Sequence, residues 1–233
     1  MNYKTYGELK LKVQRETDTE AEDFVQDDEL MGYFQDAVNE AEANIHKLGL
    51  EDDYFLSKAS MDMTIGQSVF NLPSDIYANK IRAFYFVQQT MIFPVKRLKG
   101  RDKFMLADSL RLDAGTTNYY GYILFNYGPT VNPVIELYPV SNHQGTGLLK
   151  MAYIRNAIEI EDSNSIVDIP EFYSFIIAFV KWKIYDKEGS AKADSAKSDL
   201  EAQRVLMVAT LEQMVPDDDN EIPIDSRHYE EST

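Results

Sequence analysis

Three histidines, His46, His143 and His228, are the first candidates for acid–base work, and their surroundings argue against it. A nucleophilic triad needs Ser, Thr or Cys beside a histidine that a carboxylate orients. His46 falls in a helical pattern, His143 in a polar loop and His228 near the C-terminus, none of them in a recognisable nucleophile motif. The sequence has no cysteine, which removes thiol catalysis, disulfides and Cys-ligated zinc. Gly145-Thr146-Gly147 is a fragment of a phosphate loop without the third glycine or the Lys-Ser/Thr ending, and it reads as a hairpin turn. Asp217-Asp218-Asp219 with Glu221 offers hard oxygen ligands of the kind Ca²⁺ or Mg²⁺ prefers. It lacks the glycine and distal glutamate of an EF-hand loop, so a solvated charge run is the better reading. Asp52-Asp53 and Asp27-Asp28-Glu29 read the same way. Neither a catalytic residue nor a metal or cofactor site is expected.

Chemistry of recognition is better represented. Lys96, Arg97, Lys99, Arg101 and Lys103 form the one basic cluster. It could grip a phosphate backbone or pair with the acidic surface of a neighbouring subunit. The overall charge of −16 favours the second. That charge is unevenly spread: residues 1–60 carry 6 basic and 15 acidic groups, residues 61–155 carry 10 and 6, and residues 156–233 carry 7 and 18. An acidic–basic–acidic chain is a poor generic binder of nucleic acid, although it could line a passage through which DNA slides without sticking. Surplus acid also keeps a protein soluble, and that plainer reading comes first. Among 15 tyrosines, Tyr119-Tyr120-Gly121-Tyr122 is the densest group; edge-strand packing is the default explanation and a contact surface the alternative.

The elements that hold these residues follow from the apolar pattern. The most apolar stretch runs from Asp168-Ile169-Pro170-Glu171 through Phe175, Ile176, Phe179 and Val180 to Lys187. Pro170 suits the first helical position. Asp168 and Glu171 lie at the positive end of the helix dipole, and Lys181, Lys183 and Lys187 at the negative end. Apolar residues all round predict a core helix wrapped by protein. The uncharged run over residues 172–180 is too short for a bilayer, which needs about 20 residues.

Thr5-Tyr6-Gly7-Glu8 is a capping box, opening a helix to about Arg15 with Leu9 and Val13 on one face. Residues 16–23 read as a solvated linker. Leu30, Phe34, Ala37, Ala41, Ile45 and Leu48 then form a helical stripe that Gly49 ends, with Glu29, Asp36, Glu40 and Lys47 on the face left to solvent or a partner. From Ser60 the period changes to alternation. Strands are predicted near residues 61–65, 69–72, 81–87, 91–95, 122–126, 134–138 and 148–154, with a short helix in residues 99–112. Gly189-Ser190 turns the chain into a last helix over residues 191–215, presenting Leu200, Met207, Leu211 and Met214 and ended by Pro216. The fold class is therefore α+β, a helical bundle of N-terminal helices plus two long C-terminal helices with a central antiparallel β domain. The divisions are residues 1–59 and 157–215 for the two helical parts, 60–156 for a β insertion of five to seven strands, and 216–233 for an extended acidic arm.

Taken together these stretches resemble the head-to-tail adaptor, or tail accessory, proteins of tailed bacteriophages, especially short-tailed ones. The resemblance rests on Tyr3-Lys4-Thr5-Tyr6-Gly7-Glu8-Leu9 and on the helix with Leu30, Tyr33, Phe34, Asn39 and Ala41. It continues through Gly66-Gln67-Ser68-Val69-Phe70-Asn71-Leu72-Pro73-Ser74-Asp75 and Ile135-Glu136-Leu137-Tyr138-Pro139 to Gly147-Leu148-Leu149-Lys150-Met151-Ala152-Tyr153 and Ile169-Pro170-Glu171. What the resemblance implies is a structural virion protein at the head–tail junction, made in the host cytoplasm. It implies a homo-oligomeric ring, usually a dodecamer, stacked under the portal protein and joined below to a tail hub or next ring. Genomic DNA would pass through without sequence-specific binding, no membrane would be involved, and there are no catalytic residues to carry over. The arm would reach along the portal or a neighbour, with Ile222, Ile224 and Tyr229 as apolar anchors.

Two other classes compete. A carbohydrate- or peptide-binding module would use the Tyr-rich β domain and needs a concave aromatic groove. A metal-dependent hydrolase needs carboxylates converging in a pocket.

Overall fold

Thr5 and Glu8 open the first helix by satisfying two backbone donors that a helix start leaves without partners. The Glu8 N–H donates to Thr5 Oγ1 at 3.3 Å and the Thr5 N–H to Glu8 Oε2 at 3.1 Å. In the computed structural model, which describes residues 3–19, 25–98, 120–125 and 133–215, this box joins β1 (Lys4–Thr5) to α1 (Tyr6–Thr17). There follow α2 (Asp27–Lys47), α3 (Glu51–Phe55), β2 (Leu56–Met63), β3 (Val69–Asn71), β4 (Ile76–Gln88), β5 (Met91–Pro94) and β6 (Lys96–Arg97). Next come β7 (Gly121–Phe125), β8 (Val134–Tyr138), β9 (Gly145–Arg155), β10 (Ile166–Val167), a 3-10 turn (Pro170–Phe172), α4 (Tyr173–Glu188) and α5 (Ala193–Met214). The chain forms two compact units, Met1–Leu50 with Ile158–Thr233, and Glu51–Ala157. Helices at both ends of the sequence and an antiparallel β domain between them make this the expected α+β class. Residues 99–112 and 216–233, read as a short helix and an arm, lie outside the described residues.

In the helical unit α4 packs on α1, α2 and α5. Phe175, Ile176, Phe179, Val180 and Ile184 of α4 are buried together with Leu9 and Val13 of α1, Phe34, Ala41 and Ile45 of α2, and Leu200, Met207 and Leu211 of α5. Pro170 sits at the head of the turn leading into α4, and Gly189, at φ +62°, closes the helix in the left-handed conformation glycine adopts without strain. The N-terminus is tied in by β1 pairing antiparallel with β10, Lys4 opposite Val167 and Thr5 opposite Ile166.

Three expectations for this unit are corrected. α1 extends past Arg15 to Thr17, whose buried hydroxyl donates to the Val13 carbonyl at 2.9 Å, and Glu16 accepts from Lys181 at 3.0 Å. The polar face of α2 is only partly left to solvent: Asp36 and Lys47 are exposed as read, but Glu29 binds Lys187 and Glu40 takes Arg204 at 2.6 and 3.1 Å. Met214, expected on the packed face of α5, is 41 % exposed, although Leu211 in the same last turn is fully buried.

The second unit is built from two four-stranded sheets, ordered β2-β9-β4-β5 and β3-β8-β7-β6. That exceeds the expected five to seven strands because the two-residue β6 pairs parallel to β7, where the sequence shows only a charge run. All other pairings are antiparallel. Met63, Phe84, Phe86, Leu149 and Met151 from the first sheet share a core with Phe70, Tyr122, Ile135 and Leu137 from the second. β2 begins at Leu56, ahead of the Ser60 where alternation is most evident. Gly145-Thr146-Gly147 is not a hairpin turn but the start of β9. The register there shifts between Met61 opposite Leu149 and Met63 opposite Gly145, and Gly147 takes φ +63°. One type of bulge places a left-handed glycine at such a shift, and the Gly147 N–H donates to Asp62 at 2.8 Å.

Candidate partner interface

Of the basic cluster, Lys96 and Arg97 form β6, paired with Gly121 and Tyr122, and both are exposed. The strand hangs on the Lys96 N–H to the Tyr120 carbonyl at 3.2 Å and the Leu98 N–H to the Tyr122 carbonyl at 2.8 Å. Gly121 makes that approach possible: a Cβ there would lie 2.5 Å from Leu98 Cδ1 and 2.6 Å from its Cγ. Lys99, Arg101, Lys103, Ile222, Ile224 and Tyr229 lie outside the described residues. The structure therefore brings together two of the residues the sequence singled out.

Tyr120 and Tyr122 turn into the core rather than outward, edge-on to Phe86 at 5.1 Å and Phe84 at 5.4 Å. Burial raises both phenol pKa values, with Arg97 pulling Tyr122 back down. His143 packs tilted against Phe86, ring centres 4.7 Å apart, and its Nδ1 lies 2.8 Å from the Tyr120 hydroxyl. Burial lowers its pKa and keeps it neutral, a packing role. His46 lies in α2, 3.6 Å from Glu42, and His228 is outside the described residues.

Asp27, Asp28, Asp52 and Asp53 are exposed, as a solvated charge run should be, and two of them also meet a cation. Asp52, expected in a solvated run, accepts from Arg82 at 2.7 Å, while Glu51, 5 % exposed, accepts from Lys80 at 2.8 Å and Arg82 at 2.9 Å. Burial pushes the Glu51 pKa up, but the Lys80 bond, its own backbone N–H and the two cations outweigh it, and the carboxyl ends below its ordinary range. Asp27 pairs with Lys10. Among the described residues no group of three His, Cys, Asp or Glu could hold a metal ion, and no helix is long and apolar enough to cross a membrane.

One concave feature escaped the sequence reading. A depression of about 390 Å³ on the β2-β9-β4 face is lined by Lys58, Ser60, Tyr85, Lys150 and Ala152. Alternation in β2 holds the signal, since Ala59, Met61 and Met63 face the core and Lys58 and Ser60 must face away.

Comparison with known families decides what kind of protein carries these surfaces. A family model described as SU10 adaptor protein matches residues 4–222, from the first strand through every helix and sheet above. The chain belongs to the SU10 adaptor family. No curated protein matches it. For an adaptor the relevant chemistry is that of surfaces, and the two described here, the β6 edge with Lys96 and Arg97 and the depression beside Lys58 and Lys150, are both basic in a chain of net charge −16.

Proposed function

We propose that the protein is a structural subunit of the head-to-tail adaptor ring of a short-tailed bacteriophage, seated under the portal, carrying the tail below and lining the passage for DNA. The adaptor-family match across residues 4–222 carries this reading. Physical features support it. A subunit of a closed ring needs a rigid body and two different faces that meet around an axis, and dodecameric closure is the form the family resemblance suggests. The core around α4 supplies rigidity. Basic residues 61–155 between two acidic segments give neighbours complementary charge, and the net charge of −16 lets DNA pass without adhering. Mixing the purified chain with the portal protein of the same phage and imaging the product by electron microscopy tests the reading. Rings seated on one end of the portal are expected; bare portals beside free chains would refute it.

A further inference from the structure

The sheet β2-β9-β4-β5 is charged almost entirely one way. Its four strands carry Lys58, Lys80, Arg82, Lys150 and Arg155 against a single acid, Asp62. Lys80 and Arg82 are taken by Glu51 and Asp52, Arg155 lies over the Phe55 ring, and Asp62 accepts from the Gly147 N–H. Lys58 and Lys150 remain, exposed and without an ion pair among the described residues. Ser60 stands opposite Lys150 and Ala152 opposite Lys58, so the lysines are diagonal neighbours about 7–8 Å apart at the backbone. Like charges so placed repel, and here no described acid relieves them. Between them the small side chains of Ser60 and Ala152 leave the depression, and Tyr85, opposite Lys150 on β4 and 40 % exposed, walls its far side.

We infer that this depression binds the acidic segment 216–233 of a second copy of the chain. That segment carries 7 acidic residues and 1 basic one, the complement of the sheet face. In an extended strand, residues two apart share a side at about 7 Å, which matches Asp217 and Asp219 to the two ammonium groups. Glu221 continues the same side, while Ile222 and Ile224 fall on the other side of such a strand. At about 3.3 Å per residue, 18 residues have the reach to cross to an adjacent subunit. The occupant's being a second copy rests on the ring proposed above; the recognition chemistry does not.

The test titrates a fluorescent synthetic peptide of residues 216–233 into the full-length protein and follows anisotropy at low and high salt. Binding should weaken with salt and fall about tenfold or more in Lys58→Glu/Lys150→Glu, the scale of two lost charge pairs plus the repulsion introduced. Should that variant not fold, Lys58→Gln/Lys150→Gln gives the same reading with a smaller loss, and Tyr85→Ala a further one. A wild-type protein that ignores the peptide, a double variant that binds it unchanged, or a scrambled peptide that binds as well would each overturn the inference. The titration needs no ring, so rings that form on a portal while the peptide ignores both lysines would leave the proposed function standing and remove this site alone.

Discussion

The Tyr173 hydroxyl donates to the Val167 carbonyl at 2.8 Å. The same oxygen accepts the Lys4 N–H at 2.7 Å, so one side chain at the start of the core helix holds both strands of the β1–β10 pair. The first resemblance stretch, through Lys4, is thereby tied to the residues that flank Ile169-Pro170-Glu171. Tyr173→Phe keeps the ring and removes both bonds, leaving a buried carbonyl and an amide to find other partners. Denaturant unfolding should show a loss of about 1–2 kcal/mol; an unchanged midpoint would mean that packing alone holds the N-terminus.

Phe175 is 2 % exposed among the side chains around α4. Phe175→Ala should cost about 3–5 kcal/mol, the transfer term plus the cavity left behind. A loss below ~1 kcal/mol in the same unfolding experiment would show the side chain to be dispensable, and α4 would not be the core.

Gly121 and Leu98 form a pair in which one residue exists to admit the other. Gly121→Ala should destabilise by about 1–3 kcal/mol through overpacking. Adding Leu98→Ala should recover part of that loss, since it removes the atoms the new methyl meets. A double variant no more stable than Gly121→Ala would place the strain elsewhere.

Glu51 gives the protein an acid-sensitive element. Its folded pKa lies below the ordinary 4.5, so its contribution to stability is full above that value and is lost as pH falls through it and on through the lower folded value. Glu51→Gln should therefore be less stable than the wild type at neutral pH, with the difference shrinking steadily below pH 4.5. Paired urea titrations across that range check it. A difference independent of pH would show that Lys80 and Arg82 do not hold the carboxylate ionised.

Deleting residues 216–233 should leave the cooperative thermal transition in place while abolishing assembly, because a segment with 7 acidic residues among 18 has little apolar surface to bury. Loss of the transition in calorimetry would make the segment part of a core.

Much of this was legible because local chemistry and tertiary role agree. The Thr5–Glu8 box, the stripe from Leu30 to Ile45 and the all-round apolar α4 each carry their own period or cap, and all three are as read. Elements defined by a distant partner were harder. β1 and β10, two residues each, exist only through each other, and β6 through a parallel neighbour that Gly121 admits. Gly147 looks like turn chemistry because a bulge and a turn ask the same left-handed backbone of glycine. Glu29 and Glu40 looked solvated because sequence spacing does not disclose that Lys187 and Arg204 come round to meet them. The pairing of Lys58 with Lys150 is of the same kind, two unremarkable lysines until β2 and β9 lie side by side.

The claim that matters most is that this chain's work is to join proteins in a closed ring. Light scattering coupled to size exclusion, run on the full-length chain alone and then with its portal, weighs that claim directly. A complex of one portal with one closed ring of copies, saturating at fixed stoichiometry, is the expected outcome. Chain and portal eluting separately at every ratio would contradict it.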